Sequence, residues 1–284
     1  MGYYPAKIGF MQGRLSPLIR GKIQAFPWEY WKQEFHIAQK YEFNCLEWVL
    51  DQYQLYKNPL MTKKGREEIE SLMLEYNISI ISLTGDCFMQ KPFFKASKKH
   101  RDNLLKDLKE IIYSCFLLGI RIIVFPLVDG GSIENNIQER ILINELNSIV
   151  PLLEETNTVI CFESDFNAKR LLNFIDHFEP KYFGINYDIG NSASFGYLPK
   201  EEIELYGDRI INVHVKDRLL HGTTVPLGEG DADIATVLES LIRINYSGNY
   251  ILQTARAANN NHVNVLTKYR DFIIKLFGSV GDNR

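Results

Sequence analysis

The chain has 284 residues, of which 45% are hydrophobic and 24% are charged, and its formal net charge is -3. This composition excludes a disordered or fibrous protein, and the length suits one α/β barrel. The charge balance also lacks the clustered positive field of a nucleic-acid-binding protein. We therefore predict a single domain over residues 1–284 and no nucleic-acid partner. A few local cations could still hold a small anionic substrate.

The cysteines and the N-terminal segment both bear on cellular location. None of the cysteines belongs to a CxxC pair and each lies in an apolar run, so we expect buried free thiols in a reducing compartment. The segment MGYYPAKIGF has neither the pattern of a signal peptide nor a convincing myristoylation pattern. No apolar run is long enough to span a bilayer. We predict a cytoplasmic protein with no membrane partner. The cysteines are Cys45, Cys87, Cys115 and Cys161.

Eight short apolar segments, several of them continuous and β-branched, predict strands that are buried on both faces. The predicted strands are Lys7–Met11, Cys45–Val49, Ser79–Leu83, Arg121–Pro126, Thr158–Phe162, Tyr182–Tyr187, Ile210–Val215 and Asn249–Leu252.

Segments of helical period alternate with these strands. Eight strand–helix units with no residues left for a second domain predict a closed (β/α)8 TIM barrel. An open doubly wound sheet usually has a GxGxxG turn after its first strand, and GFMQGRLSP lacks one. The predicted helices are Trp28–Tyr41, Thr62–Tyr76, Ser97–Leu118, Ile133–Glu155, Asp231–Asn245 and Asn261–Phe277.

Polar residues occur at the ends of the last four predicted strands: Glu163, Asp188, His214 and Gln253. The active site of a barrel lies at this end of its strands. Three oxygen donors and one imidazole suit Mn²⁺, Mg²⁺, Co²⁺ or Zn²⁺ with positions left open for substrate. Each residue alone has an ordinary structural explanation. Together they predict one divalent metal ion as cofactor, because grouped buried carboxylates need a cation or mutual pairing.

Other residues near the strand ends are candidates for substrate binding. Trp48 and the segment Phe26–Trp28 could stack on a sugar face, and core packing explains them equally well. Four cations could contact a phosphate or hydroxyl group, although single cations are weak signals. They are Arg14, Lys216, Arg218 and Arg256.

Several motifs together resemble the xylose isomerase-like TIM-barrel superfamily, and more narrowly its sugar-phosphate isomerase/epimerase branch. They are KIGFMQGRLSP, CLEW, CFESD, YDIGNSAS, NVHVKDR and VPLGEGDAD. The resemblance covers nearly the whole chain. It implies metal binding by Glu163, Asp188 and His214, and it places Gln253 where that family has a second glutamate. In the epimerases of that branch, the two glutamates act as acid and base on opposite faces of the substrate.

The resemblance implies an isomerase or epimerase of a sugar or sugar phosphate that works through an enediolate. We expect Glu163 to be the proton-abstracting base. Because Gln253 is a poor base, either isomerisation with one base or epimerisation with another acid, such as Glu47, is expected. The alternatives are a dehydratase of a keto-sugar or cyclic polyol on the same fold, and a non-catalytic sugar-binding barrel. The sequence is also compatible with a homo-oligomer.

Overall fold

The computed structural model describes residues 7–281, so the predictions that rest on MGYYPA fall outside the described residues. All eight predicted barrel strands are present, each within one or two residues of its expected bounds. The barrel strands are β1 (Ile8–Met11), β2 (Cys45–Val49), β3 (Ser79–Thr84), β4 (Ile122–Leu127), β5 (Val159–Ser164), β6 (Phe183–Asp188), β7 (Ile210–Val215) and β10 (Asn249–Leu252).

These eight strands form the predicted closed barrel, in which β1 pairs with both β2 and β10. All eight pairings are parallel, so the carboxyl ends of all strands meet at one mouth. A separate two-stranded hairpin, β8 (Asp217–Arg218) with β9 (Thr224–Val225), lies in the loop between β7 and β10.

Helices follow the strands, and four short ones among them were not predicted from sequence: α3 and α7–α9. The predicted helix Ile133–Glu155 is instead two helices, because Pro151 has no backbone N–H and cannot continue the first one. The helices are α1 (Trp31–Lys40), α2 (Lys63–Tyr76), α3 (Asp86–Gln90), α4 (Lys98–Leu117), α5 (Asn136–Ser148), α6 (Val150–Thr156), α7 (Ala168–Ile175), α8 (Ile189–Ser194), α9 (Pro199–Tyr206), α10 (Ile234–Arg243) and α11 (His262–Gly281).

The two faces of the barrel wall differ in chemistry. Aromatic side chains such as Phe162 and Phe183 stack between the sheet and the helices and contribute to the apolar core. Inside the barrel, Glu47 and Ser82 are register partners and share a buried hydrogen bond. Because successive side chains of a strand point to opposite faces of the sheet, one strand can contribute polar side chains to the barrel interior and apolar side chains to the contact with the helices. The polar interior leads directly to the mouth, where the strand ends are also polar.

All four cysteines are free and buried, as predicted. Between residues 7 and 281, no helix has the length and apolar character that crossing a bilayer requires.

Gly65 allows the first turn of α2 to pack against the segment before it. A Cβ atom built on Gly65 would overlap the carbonyl oxygen of Pro59, which is backbone and cannot rotate away. We expect Gly65→Ala to destabilise the protein by about 1–3 kcal/mol through overpacking, although alanine is the better helix former. Urea-induced unfolding followed by circular dichroism measures the change.

Gly278 in α11 is the matched control, because, apart from its own helix backbone, no atom of the described residues lies within 4 Å of a Cβ atom built there. Gly278→Ala should leave stability unchanged or raise it by up to about 1 kcal/mol. Equal effects of the two substitutions would show that the contact with Pro59 does not matter.

Candidate active site

The carboxyl ends of the strands surround a cavity of about 630 Å³. Its wall includes Glu163 at the end of β5, Lys216 after β7 and Gln253 after β10. The cavity therefore lies at the end of the barrel where the sequence predicted the active site. It is large enough for a sugar or a sugar phosphate.

Three of the four predicted metal ligands form one cluster. The ligand atoms of Glu163, Asp188 and His214 all lie within 4.8 Å of one another. His214 Nδ1 is 3.2 Å from Glu163 Oε2 and 3.8 Å from Asp188 Oδ2. All three side chains are buried, and they come from the adjacent strands β5, β6 and β7. Two carboxylates and one imidazole around a single point form a donor set that fits a divalent cation.

Gln253, the fourth predicted ligand, contacts a neighbouring amine. Its Oε1 accepts a hydrogen bond from Lys216 Nζ at 2.9 Å, and its Nε2 donates to Gln24 Oε1 at 2.9 Å. Lysine can only donate, so the atom that faces Nζ must be the amide oxygen. The same Nζ forms an ion pair with Asp188 Oδ2 at 2.6 Å. Lys216 therefore stands between Gln253 and the cluster of three ligands.

Glu47 lies behind His214 rather than on the cavity. Its side chain is fully buried, and its Oε1 is 2.8 Å from His214 Nε2. Ser82, Thr84 and Asn212 also donate hydrogen bonds to this carboxylate. The imidazole is thus held on its Nε2 side by Glu47, which leaves Nδ1 facing the other two ligands. This is the arrangement by which a carboxylate orients a metal-binding histidine.

Two asparagines that the sequence analysis did not single out position Glu163. Asn191 Nδ2 donates to Glu163 Oε1 at 2.6 Å, and Asn186 Nδ2 donates to Oε2 at 3.3 Å. Asn186 Nδ2 also lies 3.0 Å from His214 Nδ1. The alternation of β6 could have revealed Asn186, because it stands two residues before Asp188 on the same face. Asn191 lies within α8, where strand alternation does not apply.

The charges of the cluster are mutually dependent. Burial by itself disfavours an imidazolium, but the charge of Glu47 and hydrogen bonds to Asp188 and Glu163 raise the pKa of His214 well above its ordinary value. Burial likewise opposes ionisation of Asp188, and the positive charges of Lys216 and His214 nevertheless lower the pKa of its carboxyl. In the metal-free protein the surrounding carboxylates therefore favour the imidazolium form of His214, and a metal ion that binds Nδ1 would displace the proton there.

The predicted substrate-binding cations fall into two groups. Arg14, Lys216 and Arg218 line the cavity. Arg218 also donates to Asn191 Oδ1 at 2.8 Å, which links it to the residue that holds Glu163. Arg256 instead donates to the backbone carbonyls of Gly13 and Ser16 and is not part of the cavity wall. The structure thus places Arg256 in the anchoring of the loop after β1.

Trp48 does not reach the cavity. It is fully buried, its ring packs at 5.7 Å from that of Trp31, and its indole N–H donates to Asn58. Neighbouring residues on a strand point to opposite faces, so Trp48 must point outward where Glu47 points inward. Core packing, the ordinary explanation of this residue, therefore agrees with its position.

Gln24 and Asp86 belong to the cavity wall and were absent from the predicted site residues. Gln24 Nε2 donates to both carboxylate oxygens of Asp86, at 3.0 and 2.9 Å. Asp86 stands two residues after the last residue of β3, so its place close to a strand end was a usable signal in the sequence. Gln24 lies in the long loop after β1, where no local pattern indicated its direction.

The family model described as xylose isomerase-like TIM barrel matches residues 35–270. The chain belongs to this family. Its Glu163, Asp188 and His214 lie at the mouth of the barrel that defines the family's fold.

Individual relatives are more distant. The chain is 26% identical over 221 residues to the probable L-ribulose-5-phosphate 3-epimerase UlaE of Mycoplasma pneumoniae, covering 74% of this chain and 72% of that protein. Among solved structures, a xylose isomerase domain protein from Planctomyces limnophilus has a TM-score of 0.74 at 15% identity and covers 99% of both chains. The IOLI protein with a binding zinc atom has a TM-score of 0.73 at 14% identity, covering 96% of this chain and 99% of that one. These structural matches show a shared fold.

Replacing the charge behind His214 tests the electrostatics of the cluster. We expect Glu47→Gln to lower the pKa of His214 in the metal-free protein by about one unit or more, because an opposite charge in contact favours the imidazolium. An NMR titration of the imidazole carbons measures this value. Ser82→Ala, which removes a neutral donor to Glu47 but keeps the charge, should leave His214 protonated near neutral pH. An unchanged titration in Glu47→Gln would contradict the assignment.

Proposed function

We propose that this protein is a divalent-metal-dependent isomerase or epimerase of a ketose or ketose phosphate. The observation that carries the proposal is the buried cluster of Glu163, Asp188 and His214 at the mouth of a barrel of this family. The curated relative named as an L-ribulose-5-phosphate 3-epimerase supports a sugar phosphate as substrate. The cations Arg14, Lys216 and Arg218 in the cavity wall suit the same anionic class.

Glu163, Asp188 and His214 would hold the metal ion, and the donor types allow Mn²⁺, Mg²⁺, Co²⁺ or Zn²⁺. A solved structure with the same fold, the IOLI protein, binds a zinc atom, which supports a divalent cation here. A bound divalent cation supplies Lewis-acid stabilisation of the negative charge that develops on the substrate oxygens. As a further oxygen ligand, Gln253 would use the second lone pair of the amide oxygen that already accepts a hydrogen bond from Lys216.

Glu163 is the proposed base. It lines the cavity, and its Oε1 and Oε2 are held by Asn191 and Asn186, so the carboxylate has a defined direction. It removes a proton from the carbon next to the substrate carbonyl, which gives the enediolate. The same asparagines stabilise the ionised carboxylate before the proton is taken, since both donate hydrogen bonds to it.

Glu47 has a different proposed role from the acid that the sequence suggested. Its carboxylate accepts hydrogen bonds from three side chains besides its contact with His214, and it is absent from the cavity wall. A proton donor has to come within hydrogen-bond reach of the substrate. We therefore assign Glu47 to the positioning of His214.

Removing His214 tests the metal site. We expect His214→Ala to lose stoichiometric metal after dialysis, because the remaining ligands are two carboxylates, one of which is paired with Lys216. Elemental analysis of the dialysed protein measures the content. The control is His100→Ala, an exposed histidine on α4.

The same experiment has a second readout that does not need activity. Binding of Mn²⁺ to the wild-type protein near neutral pH should release about one proton, because His214 is protonated before the metal binds. Calorimetry in buffers of different ionisation enthalpy measures the release. Wild-type metal content in His214→Ala would remove the metal assignment.

The role of Glu163 is tested by isotope exchange. Wild-type protein with Mn²⁺ should exchange the proton next to the carbonyl of a ketose phosphate with solvent deuterium. Glu163→Gln should lower this exchange by roughly 100-fold or more while metal stays bound, because the amide oxygen can remain a ligand but cannot take a proton. NMR in D₂O measures the exchange by the wild-type protein and by the variant. Normal exchange by the metal-loaded variant would exclude Glu163 as the base.

A further inference from the structure

We propose that Asp86 is the second acid–base group of this site, paired with Glu163 across the same cavity and taking the place of the carboxylate that Gln253 lacks. This inference rests on the proposed function and deepens it, since it makes the protein an epimerase that uses two carboxyl groups. Epimerisation returns the proton to the other face of the carbon, and a neutral amide such as Gln253 cannot supply it.

The position of Asp86 is the first observation. It is the first residue of α3, separated from the end of β3 by Gly85, and both Asp86 and Glu163 line the cavity. Only 5% of the surface of Asp86 is exposed. A carboxyl group that is buried at a cavity wall is costly in free energy unless it has hydrogen-bond partners. The side chain of Asp86 accepts hydrogen bonds from the amide of Gln24. The carboxyl group of Asp86 therefore lies at the wall of the cavity, held by the amide of Gln24.

The hydrogen-bond chain around Gln253 is the second observation. Lys216 donates to Gln253, Gln253 donates to Gln24, and Gln24 donates to Asp86. The direction is fixed at the lysine end, because an ammonium group can only donate. Arg14 Nη2, at 3.4 Å from Gln24 Oε1, agrees with this orientation. A single amide therefore separates Asp86 from the position where the resemblance expects a second glutamate.

The charge environment gives support. Burial is the largest cause that raises the pKa of Asp86, to about 7, and the charges of Asp51 and Glu163 act in the same direction. The hydrogen bond from Gln24 and the charge of Arg14 lower it. Asp51 comes from the loop after β2, Glu163 from β5, and Arg14 and Gln24 from the loop after β1. Both protonation states of Asp86 are accessible near neutral pH, as a group that gives and takes protons requires.

The proton balance is as follows. Glu163 as carboxylate takes the proton from one face of the carbon, and the electron pair of that C–H bond forms the enediolate double bond. Asp86 as carboxylic acid then gives its proton to the other face, where the enediolate electron pair forms the new C–H bond and the carbonyl is restored. Glu163 ends protonated and Asp86 ends ionised. Exchange of protons with water returns both groups to their starting states, so no other reactant is needed.

The test separates proton removal from proton delivery. Wild-type protein with Mn²⁺ is incubated with L-ribulose 5-phosphate and a panel of other ketose phosphates in D₂O, and NMR follows deuterium incorporation and inversion at C3. Asp86→Asn should lower inversion by about 100-fold or more while deuterium incorporation stays within about tenfold, because Glu163 can still remove the proton and return deuterium to the same face. Asp86→Glu should recover part of the inversion.

Asp51→Asn is the matched control. It removes one negative charge beside Asp86, but Asp51 contacts Phe26 and Gln90 and is not part of the cavity wall. In Asp51→Asn, the rates of inversion and of deuterium incorporation should stay in the same ratio as in the wild-type protein. Circular dichroism and metal content establish that each variant is folded and loaded.

Each remaining outcome overturns one proposal. Inversion at the wild-type rate in Asp86→Asn would exclude Asp86 while leaving the proposed function intact. Equal loss of inversion and incorporation in a folded, metal-loaded Asp86→Asn would exclude a role specific to proton delivery. If the wild-type protein incorporates deuterium into ketose phosphates but inverts none of them, the isomerase proposal stands and Asp86 is excluded as a second acid. No incorporation by the wild-type protein on any ketose would overturn the proposed function itself.

Discussion

The contact between His214 and Glu47 inside the barrel is the interaction on which the site depends. Both side chains are fully buried, and a buried charge is costly unless it is paired and hydrogen-bonded. The barrel meets this requirement with a polar interior, in which Ser82 and Asn212 donate to the carboxylate. The main apolar core lies between the sheet and the helices, and a small separate cluster of Met11, Val49 and Ile251 lies at the level of Glu47 and His214. The imidazole is fixed in direction before any metal or substrate arrives.

At the mouth of the barrel, the other two proposed metal ligands are also paired with polar neighbours. Glu163 is held by two asparagines, and Asp188 by the ammonium group of Lys216. Lys216 also contacts the neutral Gln253, so the fourth strand end adds no negative charge to the cluster. A glutamate at the position of Gln253 would add a second negative charge next to Lys216. Without it, the cluster would attract a cation less strongly, and a bound cation would be a stronger Lewis acid toward the substrate.

The loop after β1 is held in place by the buried Glu34 and the half-buried Arg256. Glu34 on α1 accepts hydrogen bonds from the backbone N–H groups of Gly13 and Leu15, and burial raises its pKa to about 7. Arg256 donates to carbonyls of the same loop. This anchoring fixes the start of the loop that carries Gln24 to Asp86. A long-range network, rather than one strand, thus shapes this side of the cavity.

The sequence by itself determined the closed barrel, because eight short apolar strands alternate along the chain with helices of period 3.6. It also indicated Glu163, Asp188 and His214, since parallel strands bring their carboxyl ends to one mouth. It did not decide the direction of side chains beyond those strands. Trp48 was open to two readings, and Gln24 lies in a loop without periodicity. Only the tertiary structure placed Lys216 between Asp188 and Gln253, Glu47 behind His214, and Asp86 on the cavity, because these contacts join residues far apart in the chain.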